Sequence, residues 1–199
     1  MLKKITTLLT VLFFVSIGFT QVFAQTDKEE IRQMLDQRNE EIKTLLGAEG
    51  TEYTQEQRQQ LKNIINEVID YRSMAKYALQ DTWNTLDAQE RQNFVDLFSK
   101  IVRDHSLTNL DIYRAKVTYQ SIEVEGDTAV VVTMATMGRV RTPVTYDLLF
   151  KDALNKWVVT DLIIDNVSTA KSYKRQFQNI IRDKGYDYLV DVLRDKVKG

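Results

Sequence analysis

The sequence predicts an α+β fold in which a curved, four-stranded antiparallel sheet is covered by N- and C-terminal helices. Between residues 27 and 110, apolar residues recur at helical spacing, whereas between residues 116 and 164 they alternate in the manner of strands. Helical spacing then returns towards the C-terminus. Because short polar turns separate the strand segments, neighbouring strands must run antiparallel.

The N-terminus has the pattern of a secretory signal peptide. Lys3 and Lys4 precede an apolar stretch from Leu8 to Phe19, and Val22-Phe23-Ala24 has small residues where a signal peptidase needs them. The apolar stretch is shorter than the ~20 residues that a membrane-spanning helix needs. We therefore expect cleavage after Ala24, which would leave residues 25–199 as a single domain.

The composition argues against several classes of function. Without Lys3 and Lys4, 25 basic residues would face 28 acidic ones, a balance that does not suit a nucleic-acid-binding protein. The chain has no Cys and one His, so a zinc site is nearly excluded and disulfides are impossible. It has no glycine-rich phosphate loop. We expect neither a metal nor a cofactor.

The N-terminal half reads as four helices. The first spans Asp27 to Leu46; Thr54 and Gln57 form a capping box that opens the second. A short third helix covers residues 70–79, and Asp87 with Glu90 can cap a fourth, from about Ala88 to Leu110. Each helix has an apolar stripe on one side. The stripe is Ile31, Met34, Leu35, Ile42 and Leu45 in the first helix and Leu61, Ile64, Ile65, Val68 and Ile69 in the second. It is Met74, Tyr77 and Ala78 in the third helix and Phe94, Leu97, Phe98, Ile101, Val102 and His105 in the fourth. A lone His on such a stripe is usually a core residue.

The strand region begins with two segments, Lys116 to Val124 and Thr128 to Thr136, on either side of a turn at Gly126. Gly138 marks the next turn, and Pro143 is expected where a strand begins or an edge is exposed. The third strand covers residues 144–151, and residues 152–155 reverse the chain. The fourth strand, residues 157–164, is apolar except at Thr160 and Asp161. We therefore expect it to be central and covered on both faces.

The C-terminal segment reads as two helices. Asp165 and Asn166 stop the fourth strand, and Ser168 is the expected N-cap of a helix that ends at Lys184 and Gly185. Asp187 is the expected cap of the last helix. The apolar stripes are Tyr173, Phe177, Ile180 and Ile181 in the first of these helices, and Leu189, Val192 and Leu193 in the second.

Six segments, in order, resemble the MlaC family, also called the toluene-tolerance auxiliary family. They are residues 70–79 with Trp83, 88–98, 126–131, 144–148, 156–162, and 167–168 with 173–177. No single segment is specific to this family, but the order and spacing of all six segments are. The family commonly has Gly before the Val167-Ser168 pair, where this chain has Asn166. Asn tolerates a left-handed backbone, so the turn can be kept.

The resemblance implies a periplasmic phospholipid carrier. Such proteins move lipid between an outer-membrane lipoprotein–porin complex and an inner-membrane ABC transporter that has a lipid-binding substrate-domain subunit, and they maintain outer-membrane lipid asymmetry. Acyl chains lie in an apolar cavity between the sheet and the helices, with the headgroup near the surface. On this basis we expect phospholipid as the cargo, a periplasmic location, no nucleic acid and a monomer.

Periodicity alone favours a solid core, whereas the resemblance favours a cavity lined by the inward-facing residues. The expected lipid-binding wall is Met74, Tyr77, Ala78, Phe94, Phe98, Ile101, Val131, Thr133, Tyr146, Leu148, Phe150, Trp157 and Val159. Residues 140–142 and 166–171 are the expected rim.

Two alternatives remain open at this point. A periplasmic chaperone or adaptor would have a solid core and an exposed apolar patch. An enzyme is also possible, because a helix-covered curved sheet with a cone-shaped cavity occurs in the nuclear-transport-factor-like superfamily, which includes ketosteroid isomerases. Asp147 or Asp161 would then be a base in an apolar pocket. For Asp161, a strand-end carboxylate bound to Arg or to backbone is the favoured interpretation.

Overall fold

A computed structural model describes residues 16–47, 52–107 and 110–198 and confirms the α+β class. Residues 1–15 of the predicted signal peptide lie outside the described residues, and cleavage after Ala24 stays a prediction. The helices are α1 (Ser16–Leu46), α2 (Gln55–Val68), α3 (Tyr71–Leu79), α4 (Thr82–Thr85), α5 (Ala88–Ser106), α6 (Thr169–Lys184) and α7 (Tyr186–Lys198). Within the described ranges, no helix combines the length and the hydropathy that crossing a bilayer requires.

The sheet has five strands instead of the expected four. In spatial order they are β1 (Lys116–Glu125), β2 (Thr128–Met137), β3 (Val140–Lys151), β4 (Lys156–Ile164) and β5 (Val167–Ser168), and all neighbours pair antiparallel. The prediction missed β5 because it is only two residues long. Asp165 and Asn166 end β4 as expected, but both adopt left-handed backbone angles, with φ of 49° and 63°. Two such residues form the tight hairpin turn that returns the chain along β4.

The predicted central position of β4 is wrong. β4 is the fourth of five strands, and its outer edge pairs with β5 and with the segment between α2 and α3. There Ile69 forms a parallel bridge with Val159, and the Asp70 N–H donates to the Val159 carbonyl at 2.9 Å. Trp157, Val158 and Val159 are nevertheless buried, so both faces of this part of the strand are covered.

Two β-bulges set which side chains share a face of the sheet. Gln120 is the extra residue in β1 and Thr160 the extra residue in β4. A bulge shifts the alternation by one residue, bends the strand and increases its twist. We call the side that packs against α1 the inner face; its buried residues are Ala129, Val131, Leu148, Trp157 and Val159. The opposite side is the outer face.

The helix ends largely match their sequence signals. Thr54 and Gln57 form a reciprocal capping box, with distances of 2.9 and 3.1 Å. Asp87 and Glu90 exchange two hydrogen bonds of 2.8 Å at the start of α5. Three predictions are wrong. α1 begins at Ser16 and not at Asp27. α5 ends at Ser106, short of Leu110, and Asp187 lies inside the first turn of α7, which begins one residue earlier.

The buried apolar residues form three clusters. The sheet cluster lies between α1 and the inner face and contains Ile31, Ala129, Val131, Leu148, Trp157 and Val159. The helix cluster lies among α3, α5, α6 and α7 and includes Met74, Ala78, Phe94, Phe98, Phe177 and Leu189. The α1–α2 cluster contains Ile42, Leu46, Leu61, Ile65 and Leu107. In the part of the chain that the structure describes, Ile69 is the one residue that packs against all three.

Candidate functional site

The sheet contributes about half of the expected lipid-binding wall. Val131, Leu148, Trp157 and Val159 are buried in the sheet cluster, and Tyr146 and Phe150 pack against it from the same face. α1 covers these side chains with Ile31, Met34 and Leu35. The sequence signal for α1 was therefore correct, but its packing against this particular face could be known only from the structure.

The other half of the expected wall lies in the helix cluster. Phe94 and Phe98 are fully buried, and their rings are stacked with centroids 6.1 Å apart. Phe98 also contacts Tyr173 and Phe177 edge-on, at 5.0 and 5.7 Å between ring centroids. Met74 and Ala78 are buried beside them, and Ile101 packs against the cluster. Edge-on aromatic pairs add stability beyond simple burial, so this half is well packed.

Two residues of the expected wall, Tyr77 and Thr133, do not present a simple buried apolar side chain. Tyr77 lies at the surface, 39% exposed, with the Lys174 ammonium 4.9 Å from its ring centroid. Thr133 is buried on the inner face, but its hydroxyl donates to the Val144 carbonyl at 2.9 Å. Its polar atom is therefore satisfied within the sheet, and its methyl group is left for apolar contacts.

The two halves of the wall meet along a boundary that we call the seam. It runs between the sheet cluster and the helix cluster, next to Ile69, where the chain crosses from α2 to α3. The sequence analysis placed Ile69 on the α2 stripe and missed this role. α3 and α6 of the helix cluster also contact β4, so the two layers meet along this strand as well as at Ile69.

Two buried hydrogen-bond donors lie in the layers on either side of the seam. Trp157 belongs to the sheet cluster and Tyr71 to the helix cluster, and they are 4% and 8% exposed. Neither the Trp157 Nε1–H nor the Tyr71 hydroxyl has a hydrogen-bond partner among the described residues. A buried donor without a partner costs about 1–3 kcal/mol. Such donors are typical of a site at which a ligand or water supplies the acceptor.

The hydroxyl groups of this interior are uncharged at neutral pH. Burial raises the pKa of Tyr71 to about 12, although Arg103 opposes the shift. Burial also raises the pKa of Tyr146 to about 12, with a smaller contribution from Tyr113. These side chains therefore offer neutral donors, which suit ester oxygens and acyl chains better than a catalytic proton transfer near pH 7.

Asp161 has a structural position at the start of α6. Its Oδ1 accepts hydrogen bonds from the Leu162 N–H at 2.8 Å and the Ala170 N–H at 2.9 Å, and its Oδ2 accepts from the Ser168 hydroxyl. The same hydroxyl accepts from the Lys171 N–H and caps the helix as predicted. The favoured sequence interpretation, a strand-end carboxylate bound to backbone, agrees with this geometry.

Asp147 lies directly opposite Asp161 in the β3–β4 ladder. Burial and the charge of Asp161 raise its pKa, and Lys171 opposes the shift. Since side chains alternate along a strand, Asp147 shares the outer face with Asp161, while its neighbours Tyr146 and Leu148 lie on the inner face. Neither carboxylate is thus part of the wall around the seam. Within the described ranges, no cluster of His, Asp and Glu could hold a metal ion.

The two expected rim segments lie at the same end of the sheet. Residues 140–142 begin β3 after the turn at Gly138, and residues 166–171 contain β5 and the start of α6. Val140 and Val167 are 63% and 58% exposed. The register brings these segments together, because Val144 pairs with Ile164 and Ile164 pairs with Val167.

Comparisons with known proteins agree with this architecture. A family model described as MlaC protein matches residues 36–195. Among solved structures, the chain is similar to a phospholipid-binding protein from Ralstonia solanacearum, determined in complex with a phospholipid. The TM-score is 0.73 at 20% identity, over 86% of this chain and 97% of that one, a likeness that establishes the fold. No curated protein matches the sequence.

Proposed function

Because this chain belongs to the MlaC family, we propose that it is a phospholipid carrier that takes up lipid from one membrane of the cell envelope and delivers it to another. The family assignment and the phospholipid-bound structural relative support lipid binding. Transfer between membranes, export to the periplasm after removal of residues 1–24, and a role in outer-membrane lipid asymmetry are parts of the same proposal.

The observation that carries the proposal is the seam between two apolar layers. The inner face of the sheet and the helix cluster are each lined with buried apolar residues and meet at Ile69. Acyl chains that enter between them would contact Leu148 and Val159 on one side and Met74 and Phe98 on the other. The seam is the proposed site for the lipid tails.

The energetics of lipid transfer explain why such a carrier needs an apolar interior. Each buried CH₂ group contributes ~0.8 kcal/mol. Two chains of roughly sixteen carbons would therefore cost on the order of 25 kcal/mol to expose to water. A carrier must replace nearly all of the bilayer contacts and still release the lipid. Burial meets this need, because it is non-directional and tolerates chains of different length.

The buried donors give the site a polar element. In the proposed complex, the Trp157 Nε1–H and the Tyr71 hydroxyl donate to the ester oxygens of the lipid, which satisfies both groups. The headgroup then lies towards the rim at residues 140–142 and 166–171. No catalytic residue is needed, and the backbone hydrogen bonds of Asp161 fit a structural role.

The carrier requires partners at both membranes. As the MlaC resemblance implies, we propose an inner-membrane ABC transporter with a lipid-binding subunit and an outer-membrane lipoprotein–porin complex. The chain itself acts as a monomer. A chaperone or adaptor with a solid core is the second candidate; it would bind a protein client and carry no lipid.

Native mass spectrometry of the exported, processed chain tests the proposal directly, followed by solvent extraction and lipid identification. We expect a stoichiometric adduct at the mass of a phospholipid. A lipid-free mass that persists after incubation with phospholipid vesicles would contradict the carrier function and favour the chaperone.

A pair of neighbouring substitutions in β2 tests the location of the lipid. Val131 is fully buried on the inner face, whereas Val130 is 40% exposed on the outer face. Val131→Trp should fill space on the inner face and lower lipid occupancy, and Val130→Trp is the matched control that should retain it. Overpacking typically costs 1–3 kcal/mol, so circular dichroism must show that both variants fold. Full occupancy in a folded Val131→Trp variant would place the lipid elsewhere.

A further inference from the structure

Exposed apolar side chains concentrate at one end of the sheet. Met137 and Val140 flank the β2–β3 turn and are 45% and 63% exposed. Ile164 and Val167 flank the β4–β5 turn and are 39% and 58% exposed. We call these four residues the tip surface. Apolar residues that are exposed singly need no explanation, but these four form two pairs at one end of the sheet, four residues apart along β3. Exposed apolar surface of this kind marks an interaction site.

The strand register places the tip surface on the inner face. Met137 pairs with Val140, and Ile164 pairs with both Val144 and Val167. Paired residues share a face, and Val140 shares one with Val144 because side chains alternate along a strand. This is the face that carries Val131 and Leu148, so the buried sheet cluster and the exposed turns lie on one face of the sheet, with Thr133 and Thr142 between them.

Basic residues border the tip surface. Arg139 lies in the β2–β3 turn itself, and Arg141 and Lys116 both pair with Thr136, on the opposite side of the strands. None of these three side chains forms an ion pair with another of the described residues. The β4–β5 turn contributes one acidic residue, Asp165. The local charge is therefore positive, although the chain as a whole is slightly acidic.

We propose that the tip surface, with Arg139 and Arg141, docks the chain on a bilayer that contains anionic phospholipid. The proposal rests on the proposed carrier function and identifies the surface with which the carrier meets a membrane. Guanidinium groups bind phosphate oxygens with paired hydrogen bonds, while the four apolar side chains enter the boundary between headgroups and acyl chains. A lipid that leaves the bilayer at this point stays in contact with the inner face all the way to the seam.

The small size of the surface favours a bilayer over a protein partner. The four apolar residues flank two turns, and the exposed Ile112 precedes β1 at the same end of the sheet. A stable protein interface usually takes about 800 Å² from each partner, more than two turn tips present. Arginine beside apolar side chains matches the layered chemistry of a membrane surface.

The test is sedimentation of the exported, processed chain with vesicles. One set consists of zwitterionic phosphatidylcholine, and the other contains about 30% phosphatidylglycerol. We expect binding to the anionic vesicles at low salt and a marked loss of binding at high salt, because exposed charges are screened. Equal binding to both vesicle types would contradict the role of the arginines.

Matched variants identify the surface that binds. Arg139→Gln with Arg141→Gln should weaken partition about 25-fold, since each cation near an anionic membrane contributes about fivefold. Val140→Ser with Val167→Ser should weaken it about tenfold. The charge control is Arg182→Gln with Arg194→Gln on α6 and α7. The apolar control is Leu154→Ser, an exposed residue at the other end of the sheet. Both controls should bind normally.

Two readouts separate this inference from the carrier function. If the wild-type chain carries lipid but does not sediment with anionic vesicles, or if the tip variants bind as well as the controls, the inference is wrong and the carrier function stands. Binding of a protein partner to the tip surface in the absence of vesicle binding would likewise overturn the inference. If the wild-type chain carries no lipid, the carrier function fails, whatever the vesicle experiment shows.

Discussion

Replacement of Asp161 tests whether this carboxylate is structural. It is 7% exposed and lies where β4 meets the N-terminus of α6. Its two oxygens accept from the backbone N–H groups of Leu162 and Ala170 and from the Ser168 hydroxyl. Asp161→Ala removes the acceptor of all three hydrogen bonds, and the alanine methyl group cannot replace it.

The expected loss of stability follows from these contacts. Each backbone donor left buried without a partner costs about 1–3 kcal/mol. A negative charge near a helix N-terminus contributes a further 0.3–1 kcal/mol. The Ser168 hydroxyl can still accept from the Lys171 N–H, so its loss is small. We expect Asp161→Ala to lower the free energy of unfolding by about 3–5 kcal/mol. Asp161→Asn, which keeps one acceptor oxygen, should lose about half as much.

Urea unfolding followed by far-ultraviolet circular dichroism measures this difference, with Asp147→Asn as the control. Asp147 faces Asp161 across the ladder, and its raised pKa means that its charge is unfavourable in the folded state. Asp147→Asn should therefore leave the stability unchanged or raise it at pH 7, and the gain should vanish below pH 3.8, where the carboxyl is protonated in both folded and unfolded chains. A loss below 1 kcal/mol for Asp161→Ala would refute the reasoning.

Three further predictions concern single side chains. Hydrogen bonds from Lys151 and Ser73 hold the pKa of Asp70 below its ordinary value, although burial opposes them. The stabilisation by the Asp70 carboxylate is present above pH 3.8 and is lost as the pH falls through the lowered pKa. The difference in Tm between wild type and Asp70→Asn should therefore shrink in acid. A difference in Tm that stays constant with pH would contradict this prediction. Tyr71→Phe should raise the free energy of unfolding of the lipid-free chain by about 1 kcal/mol in urea titration, because it removes an unpartnered hydroxyl; a loss would imply a hydrogen bond. Asn166→Val should lower the free energy of unfolding by about 1–2 kcal/mol, because φ is 63° at this position, whereas Asn166→Gly should leave it unchanged. Equal thermal stability of the two variants would contradict the left-handed backbone at residue 166.

The features that the sequence predicted correctly depend on residues close together in the chain. The capping boxes at Thr54 and Asp87 need only a partner three residues away, and Gly185 ends α6 through a bond to Ile181. The hairpin at Gly126 needs only a two-residue turn between alternating segments. Such signals are complete within one helical turn or one hairpin, so they survive in any tertiary context.

The features that the sequence could not predict depend on contacts between distant residues. β4 is apolar at nearly every position, so its pattern contains no information about register, and the bulge at Thr160 could not be located. Helical spacing predicted Tyr77 on the same side of α3 as Met74 and Ala78, but packing in the folded chain buries Ala75 and leaves Tyr77 at the surface. Ile69 matters because three clusters meet there, which no single stripe reveals.

The edges of the sheet bear on how the chain behaves at high concentration. A long, flat edge recruits the strands of other copies and leads to aggregation. The outer edge of β4 is shielded by Ile69 at one end and by β5 at the other. The edge of β1 is interrupted by the bulge at Gln120 and carries Lys116 and Glu123. Neither edge therefore offers a continuous template for strand pairing with another copy, so the sheet resists edge-to-edge aggregation although one of its faces is apolar.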